Sequence, residues 1–240
     1  MIMLNVNEIS KQYKQKTVLD CVSLKIDKGI NTILGANGAG KSTLLNIMAG
    51  AILPSSGEIL YNGEEIHSMG EHYREKIAML FQAQPYFGSS TVREYMRYNG
   101  TLKGIPSKRL EDACDKALDM LNVLSYKKCR MSKLSGGLRQ RIFIAQTIMA
   151  DPKLIILDEP SAGLDITQRS ELKSIIRTLG KNSSVIISTH IVSDIENITD
   201  KLFILDKGRL LFSGTPPVEN GKLTDFYLGL VGENHDLGDN

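Results

Sequence analysis

The sequence contains no tryptophan and only 3 cysteines, which are odd in number and form no C-x-x-C pair. Disulfide scaffolds use paired cysteines in even numbers, so that class of protein is excluded. We therefore predict that Cys21, Cys114 and Cys129 are reduced thiols of a cytoplasmic protein.

Long hydrophobic runs are missing as well. The longest, such as Leu154–Leu157 and Leu202–Leu205, have the length of a strand and are too short to cross a bilayer. The first eight residues lack a basic segment followed by a long apolar run, so we expect no signal peptide. If membranes matter to this protein, we expect another polypeptide to span them.

An excess of charge of one sign is also lacking. The net charge is +2, from 29 basic and 27 acidic residues, so the sequence offers neither a nucleic-acid footprint nor a polybasic membrane patch. The hydrophobic fraction of 42% in 240 residues is ordinary for a globular chain with a substantial core. This length fits one α/β domain, or one that carries an inserted subdomain.

The most informative segment is Gly35–Thr43, which matches the pattern G-x-x-x-x-G-K-[ST]. It follows Ile30–Leu34, a run typical of a buried strand, and precedes the start of an amphipathic helix. Glycines let successive backbone N–H groups turn towards an anion, and the helix dipole favours negative charge at the same place. Lys41 is expected to reach the β- and γ-phosphates, and Ser42 to hold Mg²⁺. The candidate phosphate-binding residues are Gly35, Ala36, Asn37, Gly38, Ala39, Gly40, Lys41, Ser42 and Thr43.

Two adjacent acids, Asp158 and Glu159, end the predicted buried strand Leu154–Leu157. Like charges this close to a core repel one another, and a metal ion with phosphates nearby would relieve the repulsion. In P-loop ATPases a second strand places an acidic residue near the metal. Asp158 is therefore the candidate Mg²⁺ ligand, and Glu159 the candidate base that polarises the attacking water. Taken alone, the pair fits equally well two solvated acids in a loop.

A second helix start, Leu134–Gly137, also presents free backbone N–H groups. Ser135 by itself fits an ordinary N-cap. Gly136 and Gly137 are not needed to begin a helix, and they fit a close approach of the backbone to a second phosphate group. The chain is thus predicted to carry two anion-binding helix starts.

The pattern of the whole chain predicts an α/β P-loop NTPase core. Apolar and polar residues alternate over Leu4–Asp27, which favours an N-terminal antiparallel β layer. Later strands and helices alternate, which favours a mostly parallel sheet with helices on its faces. We expect one domain, with the ATP-binding core at 1–84 and 134–214, an inserted helical subdomain at 85–133, and a C-terminal helix and tail at 215–240.

The inserted segment is predicted to hold two helices, Thr91–Leu102 and Lys108–Leu124, with Ser107 as the N-cap of the second. The last part of the chain is predicted to form a short helix over Leu223–Val231. Residues Gly232–Asn240 are expected to form a solvated tail.

Together these motifs resemble the ATP-binding subunit of ABC transporters over residues 4–214. Gly35–Thr43 resembles the Walker A loop, and Leu154–Glu159 resembles the Walker B strand with its glutamate. Leu134–Gly137 is similar to the signature motif, and Ser161–Asp165 resembles the D-loop. The signature motif commonly continues with Gln, whereas this sequence has Leu138, which removes any hydrogen bond that a glutamine would make there.

The resemblance assigns roles to further residues. Tyr13 matches the aromatic residue that stacks on adenine. Gln82 falls at the Q-loop glutamine, with Gln84 as a weaker alternative register, and His190 falls at the switch histidine. The implied catalytic residues are Glu159, His190 and Gln82. The implied metal ligands are Ser42, Gln82 and Asp158.

The resemblance also implies an assembly. Two subunits, identical or related, would form a head-to-tail dimer with two ATP molecules between them. Each ATP would lie on Lys41 of one subunit and face Ser135 and Gly137 of the other, with Gly136 between them as a further candidate for nucleotide binding. The helical subdomain would dock on a separate transmembrane permease, so that the subunit is cytoplasmic and peripheral on the inner face of the membrane.

Within this family, Thr91–Tyr95 and Leu102–Pro106 resemble the ABC-2-type exporter group, so we expect export. The alternative is a soluble ABC-type ATPase that acts on ribosomes or DNA. Ribosome-acting members usually carry two such domains and DNA-acting members a long coiled-coil insertion, and the near-neutral charge gives no nucleic-acid footprint. A GTPase or kinase that shares only the P-loop is disfavoured by Leu134–Gly137 and by the lack of an N-K-x-D motif.

Overall fold

The computed structural model of the protein describes residues 3–217 and 222–236. Its strands are β1 Leu4–Tyr13, β2 Lys16–Ile26, β3 Ile30–Leu34, β4 Ser56–Tyr61, β5 Glu64–Glu65, β6 Ile77–Leu80, β7 Leu154–Asp158, β8 Ser184–Thr189, β9 Lys201–Asp206 and β10 Arg209–Gly214. Its helices are α1 Lys41–Met48, α2 Ile66–Met69, α3 Glu71–Lys76, α4 Val92–Leu102, α5 Ser107–Met120, α6 Gly136–Ile148, α7 Ile166–Asn182 and α8 Lys222–Asp236. Short 3-10 turns occupy Leu124–Tyr126, Met131–Lys133 and Val192–Asp194.

The N-terminal strands form an antiparallel sheet in the order β2-β1-β4-β5. On β1, Leu4 and Val6 alternate into the core, and an irregularity at Glu8, which has φ 49°, brings Ile9 to the same face; all three apolar residues are fully buried. One face of this sheet therefore covers the core while the other meets solvent, as the alternation of side chains requires. The predicted antiparallel layer is confirmed.

The second sheet has the strand order β10-β9-β3-β8-β7-β6. Neighbours from β9 to β6 pair in parallel, and β9 pairs with β10 as an antiparallel edge. Because β3, β7 and β8 are parallel neighbours, the loops that follow them leave from the same edge of the sheet. These loops begin at Gly35, Glu159 and His190. The predicted P-loop α/β fold with a mostly parallel sheet is confirmed.

Helices α4, α5 and α6 pack around one apolar cluster that contains Tyr95, Met96, Cys114 and Phe143. Thr91 caps α4, since its side chain accepts from the backbone of Glu94 and the Glu94 carboxylate accepts in return from the Thr91 backbone. This segment is helical, as predicted, while the limits of the subdomain stay a prediction.

The second helix of this segment differs from the prediction at both ends. Pro106 stands at the N-cap position and Ser107 is already helical, with no side-chain cap, so the predicted Ser107 cap is wrong. The extended backbone at Pro106 is the conformation that a proline in front of a helix readily adopts. Helix α5 ends at Met120 instead of Leu124, because Asn122 adopts a left-handed φ of 55°, which stops the helix.

The three cysteines differ in their exposure to solvent. Cys114 is buried in the cluster of α4, α5 and α6, and this burial raises the pKa of its thiol to about 11. Cys21 and Cys129 are exposed. The three cysteines are free, as the odd number predicted.

Helix α8 packs on the β9–β10 edge, where the rings of Phe226 and Phe212 lie 4.9 Å apart in an edge-to-face arrangement. It covers the predicted helix Leu223–Val231 and continues to Asp236, into the segment predicted as a tail. Residues 237–240 of that predicted tail lie outside the described residues. Across the described ranges, no helix combines the length and the apolar character needed to span a bilayer.

Candidate functional site

The loop after β3 approaches neighbouring backbone so closely that two of its glycines have no room for a side chain. A Cβ on Gly35 would lie 2.2 Å from the carbonyl oxygen of Leu205, and one on Gly40 would lie 2.8 Å from that of Val18. Gly40 also has φ 103°, in the left-handed region that favours glycine. The loop is therefore wedged between β2 and β9, and this packing fixes its curvature in the absence of a ligand.

Lys41 is the first residue of α1, and its side chain folds back into the loop. Its Nζ donates to the carbonyl oxygens of Gly35 at 2.8 Å and Ala36 at 3.1 Å. The same Nζ lies 3.2 Å from Oε1 of Glu159, and both side chains are only 6% exposed. The ammonium group of Lys41 is thus held at the mouth of the loop by two carbonyls and one carboxylate.

Asp158 and Glu159 follow one another at the end of β7, and both are buried. Ser188 on β8 holds both: its hydroxyl donates to Oδ1 of Asp158 and accepts from the backbone N–H of Glu159 at 3.0 Å. Glu159 has a left-handed φ of 48°, an uncommon conformation for a residue other than glycine. The two acids are therefore held by one hydroxyl, and the alternative of two solvated loop acids is wrong.

His190 follows β8 and contacts Glu159 from the side opposite Lys41. Its Nδ1 lies 3.0 Å from Oε2 of Glu159. Oε1 of Glu159 is buried and makes no hydrogen bond of good geometry within the described part of the chain, although Lys41 is nearby. The Glu159 carboxylate thus lies between a lysine and a histidine, with one oxygen available to a further donor.

An open cleft of about 690 Å³ lies over the loop after β3. It brings together predicted site residues from three separate segments. Those lining it are Asn37, Gly38, Gly40, Lys41, Ser42, Thr43, Gln82 and Glu159. Four further residues line the cleft and were not predicted, because they carry no local motif. They are Lys16, Thr17 and Val18 of β2 and Lys207 of the β9–β10 turn.

Tyr13 stands at the end of β1 and pairs with Lys16 across the hairpin. Its ring is 47% exposed, and the Nζ of Lys11 lies 5.1 Å from the ring centroid. Tyr13 does not itself line the cleft, whereas Lys16 does. Tyr13 thus lies beside Lys16 at the rim of the cleft, and its role in stacking on adenine stays a prediction.

Ser135, Gly136 and Gly137 do not line the cleft of their own chain. The hydroxyl of Ser135 accepts from the backbone N–H of Leu138 at 3.3 Å, so it is an N-cap as well as a candidate ligand contact. A Cβ on Gly137 would come within 2.5 Å of the amide end of the Gln168 side chain, which would have to move aside to admit it. A Cβ on Gly136 would meet nothing within 4 Å, so no neighbour in the described chain requires a glycine there.

A family model described as ABC transporter matches residues 19–162, which is more than half of the chain. The matched range contains the loop after β3, the helix start at Ser135 and the two acids that end β7. The chain belongs to the ABC transporter family. Its ATP-binding domains bind and hydrolyse ATP, so the predicted enzyme class is confirmed for the family.

Known relatives agree with this membership. The chain is 32% identical over 239 residues to the spermidine/putrescine import ATP-binding protein PotA of Bacteroides fragilis, covering 98% of this chain and 52% of the relative. It therefore spans about half the length of that curated relative. The structure of cbiO1 from Clostridium perfringens, part of the ABC transporter complex cbiONQ, matches with a TM-score of 0.83 and 28% identity over 98% of this chain and 99% of that one.

The fold also matches a bacterial ABC transporter cassette whose structure is dimeric. The TM-score is 0.80 at 22% identity, covering 91% of this chain and 100% of that one. At this identity the likeness shows the ABC fold alone.

Proposed function

We propose that the chain is the ATPase subunit of an ABC transporter, which hydrolyses ATP to drive transport through a separate permease. The observation that carries the proposal is the setting of Glu159. Its carboxylate is buried just after β7, lines the open cleft over the loop after β3 and lies between Lys41 and His190. A left-handed backbone at this residue costs about 1–3 kcal/mol, a strain that is typical of functional sites.

The reaction follows from the partners of Glu159. When the phosphates of ATP enter the loop, Lys41 exchanges the Glu159 carboxylate for phosphate oxygens, since both are anionic acceptors. Oε1 of Glu159 then accepts a proton from the water that attacks the γ-phosphorus, while ADP leaves with the bridging oxygen. His190, whose Nδ1 lies 3.0 Å from Oε2, orients the carboxylate.

The residues fit a magnesium ion bound mainly through ATP. In the described ranges no group of three or more His, Cys, Asp or Glu residues forms a metal cage. Mg²⁺ usually takes one or two carboxylates together with substrate phosphates, which matches the set Ser42, Gln82 and Asp158 proposed from the sequence. When bound, the ion would neutralise charge that develops on the phosphates.

The helix start at Ser135 supports a dimer in which two chains share each ATP. Ser135 and Gly136 are exposed and lie outside the cleft of their own chain, and Gly136 has open space around it. A second copy in head-to-tail orientation would bring these exposed groups to the phosphates held by Lys41. Whether the partner is identical or a related ATPase is an outcome of the experiment below.

The test uses the Glu159→Gln variant, which keeps the size of the side chain and removes the base. We expect turnover to fall by about 10²–10⁴-fold while ATP binding is retained. The solution mass should double when Mg-ATP is added, because ATP stays trapped between protomers. Normal turnover would contradict the role of Glu159, and a monomer that binds ATP would point to a different partner subunit.

We also propose that a permease docks beside the helical segment. A groove of about 800 Å³ runs between α3 of the core and the α4–α5 region. It includes Arg74 and Arg109 as cations and the exposed apolar side chains of Leu102 and Met120. Such a mixed apolar and charged groove suits a helix from a cytoplasmic loop of a membrane subunit.

Export stays our proposal for the direction of transport, supported by the resemblance of Thr91–Tyr95 and Leu102–Pro106 to the ABC-2-type group. The name of PotA specifies import, and that property belongs to PotA. Transport by the chain with its permease in inside-out and right-side-out vesicles decides the direction. The alternative is a soluble ABC-type ATPase that acts on ribosomes or DNA. It predicts that ribosomes or DNA stimulate the ATPase activity. The near-neutral net charge of +2 disfavours this alternative, because binding to nucleic acid usually needs an excess of basic residues.

A further inference from the structure

Two side-chain contacts join the loop after β7 to the segment after β8. The first is the contact between Glu159 Oε2 and His190 Nδ1, at 3.0 Å. The second lies behind it, where the hydroxyl of Ser161 donates to Oδ2 of Asp194 and both residues are buried. Ser161 follows Glu159 by two residues and Asp194 follows His190 by four, so the two contacts bridge the same pair of segments side by side.

Arg169 on α7 makes a second link between the buried carboxylate of Asp194 and the loop after β7. Its Nη1 lies 3.4 Å from Oδ1 of Asp194, and its Nε donates to the carbonyl oxygen of Leu164 at 2.9 Å. A buried carboxylate is stable only with charged or hydrogen-bonding partners, and Asp194 has one of each. The carboxylate of Asp194 is therefore the point at which the loop, α7 and the segment after His190 meet.

Helix α7 also holds the backbone of this segment. Arg169, Lys173 and Arg177 are spaced four residues apart and so lie on one face of the helix. Lys173 donates to the carbonyl oxygen of Ser193, and Arg177 donates to that of Asn197 at 3.1 Å. These two contacts fix the backbone, whereas Asp194 reaches across to the loop with its side chain.

We infer that Asp194 is a positioning residue for ATP hydrolysis, holding the loop 159–165 in register with His190 through Ser161 and Arg169. The inference rests on the proposed function, because it takes Glu159 and His190 as the groups that act on the water. Without the Asp194 carboxylate, the buried hydroxyl of Ser161 and the guanidinium of Arg169 lose a shared acceptor. The two segments are then free to shift against each other, and displacement of a reacting group by 1 Å costs about 100-fold in rate.

The test compares Asp194→Asn with Asp194→Glu and with Arg177→Ala. Asparagine removes the charge at constant size, glutamate restores the carboxylate, and Arg177→Ala removes a contact of the same α7 face at the far end of the segment. We expect Asp194→Asn to lower kcat about tenfold to 100-fold, with KM and the affinity for a fluorescent ATP analogue unchanged. Asp194→Glu should recover most of kcat, and Arg177→Ala should match the wild type.

A second readout does not depend on turnover. The chain has 4 histidines, so the imidazole nitrogen signals of ¹⁵N-histidine-labelled protein can be assigned with a His190→Gln variant. The His190 signals should shift in Asp194→Asn and stay in place in Arg177→Ala. If Asp194→Asn does not fold, Ser161→Ala removes the same cross-link while keeping the Asp194–Arg169 pair, and it should lower kcat in the same way.

Unchanged kcat and unchanged His190 signals in Asp194→Asn would overturn the inference. So would a glutamate variant that binds ATP yet stays as slow as the asparagine variant. The outcome is separable from that of the proposed function: if Glu159→Gln abolishes turnover while Asp194→Asn is normal, only the positioning role fails. If Glu159→Gln is itself normal, the proposed base fails first.

Discussion

The two helix starts that the sequence marks as anion sites differ in how much of their structure the chain itself explains. At α1, the loop glycines Gly35 and Gly40 are required by neighbouring backbone, and Lys41 is anchored by two carbonyls and Glu159. At α6, Ser135 only caps its own helix, and Gly136 has open space around it. The α1 loop thus takes its contacts from its own chain, whereas the α6 start presents exposed groups that the described part of the chain does not cover.

The glycines at the two helix starts differ in what surrounds them. A glycine whose Cβ would collide with its own chain is explained by folding, as Gly35 is by Leu205. Gly137 is a different case, because a Cβ there would meet only the movable amide end of the Gln168 side chain. Gly136 meets no neighbour in the described part of the chain, which agrees with our proposal that a second chain approaches it. In the dimer that we propose, the α1 loop would bind the phosphates and the α6 start would complete the site from the other chain.

The largest effect that we expect from this comparison is loss of ATP binding in Lys41→Ala. The variant removes the charge-assisted hydrogen bonds between the Lys41 ammonium group and the phosphates. Such bonds contribute about 1.5–3 kcal/mol to binding, so the affinity for ATP should fall roughly tenfold to a hundredfold. The measurement is equilibrium binding of a fluorescent ATP analogue to the isolated chain. A matched control is Lys173→Ala, which removes a lysine outside the cleft. Unchanged affinity in Lys41→Ala would break the assignment of the α1 loop as the binding half.

Most of the architecture could be predicted from the sequence, because it follows from local patterns. The β-branched run Ile30–Leu34 and the alternation over Leu4–Asp27 indicated their strands, and both strand assignments are confirmed. The end of α5 could not be predicted, since helical periodicity continues past Met120 while the left-handed backbone of Asn122 ends the helix. Backbone conformation at a single residue leaves no periodic signal.

The site was predictable where a motif is contiguous and unpredictable where the fold assembles it. The loop after β3 and the pair Asp158–Glu159 carry their own signals. Ser188, which holds both acids, lies on another strand and has only its place before His190 as a clue. Lys16 reaches the cleft because β2 crosses beside the loop, a consequence of tertiary packing that no spacing in the sequence reveals.

Alanine substitutions of the two glycines at the start of α6 test whether these glycines serve folding or the dimer. We expect smaller effects from them than from Lys41→Ala. Gly136→Ala should keep or slightly raise stability, because alanine favours a helix over glycine by up to about 1 kcal/mol. It should still lower turnover by about tenfold, as a misplaced contact in the closed dimer weakens catalysis. The measurements are thermal unfolding and ATPase activity at saturating ATP.

Gly137→Ala is the matched control for that substitution. Its Cβ would displace the amide end of the Gln168 side chain, whose Oε1 accepts from the backbone N–H of Asp165 at 3.4 Å, so stability should fall by about 1 kcal/mol as that hydrogen bond is lost. If Gly136→Ala proves as destabilising as Gly137→Ala, the open space at Gly136 is filled within the chain, and the assignment of the α6 start to the dimer loses its support.

We expect the smallest change in ATP binding from a substitution of Lys16, which lines the same cleft as the loop before α1. Lys16 lines the cleft at the end of the hairpin, so its ammonium group contributes a positive field to a site for a polyanion. An exposed cation of this kind is worth about 0.2–1 kcal/mol, so Lys16→Ala should raise KM for ATP only a few-fold and leave kcat unchanged. The matched control is Lys14→Ala in the same hairpin turn, since Lys14 does not line the cleft.

The difference in KM between the two variants should shrink as salt is raised, because screening weakens exposed charges first. Equal KM values at low salt would remove Lys16 from the site and leave the loop after β3 as the source of its positive charge.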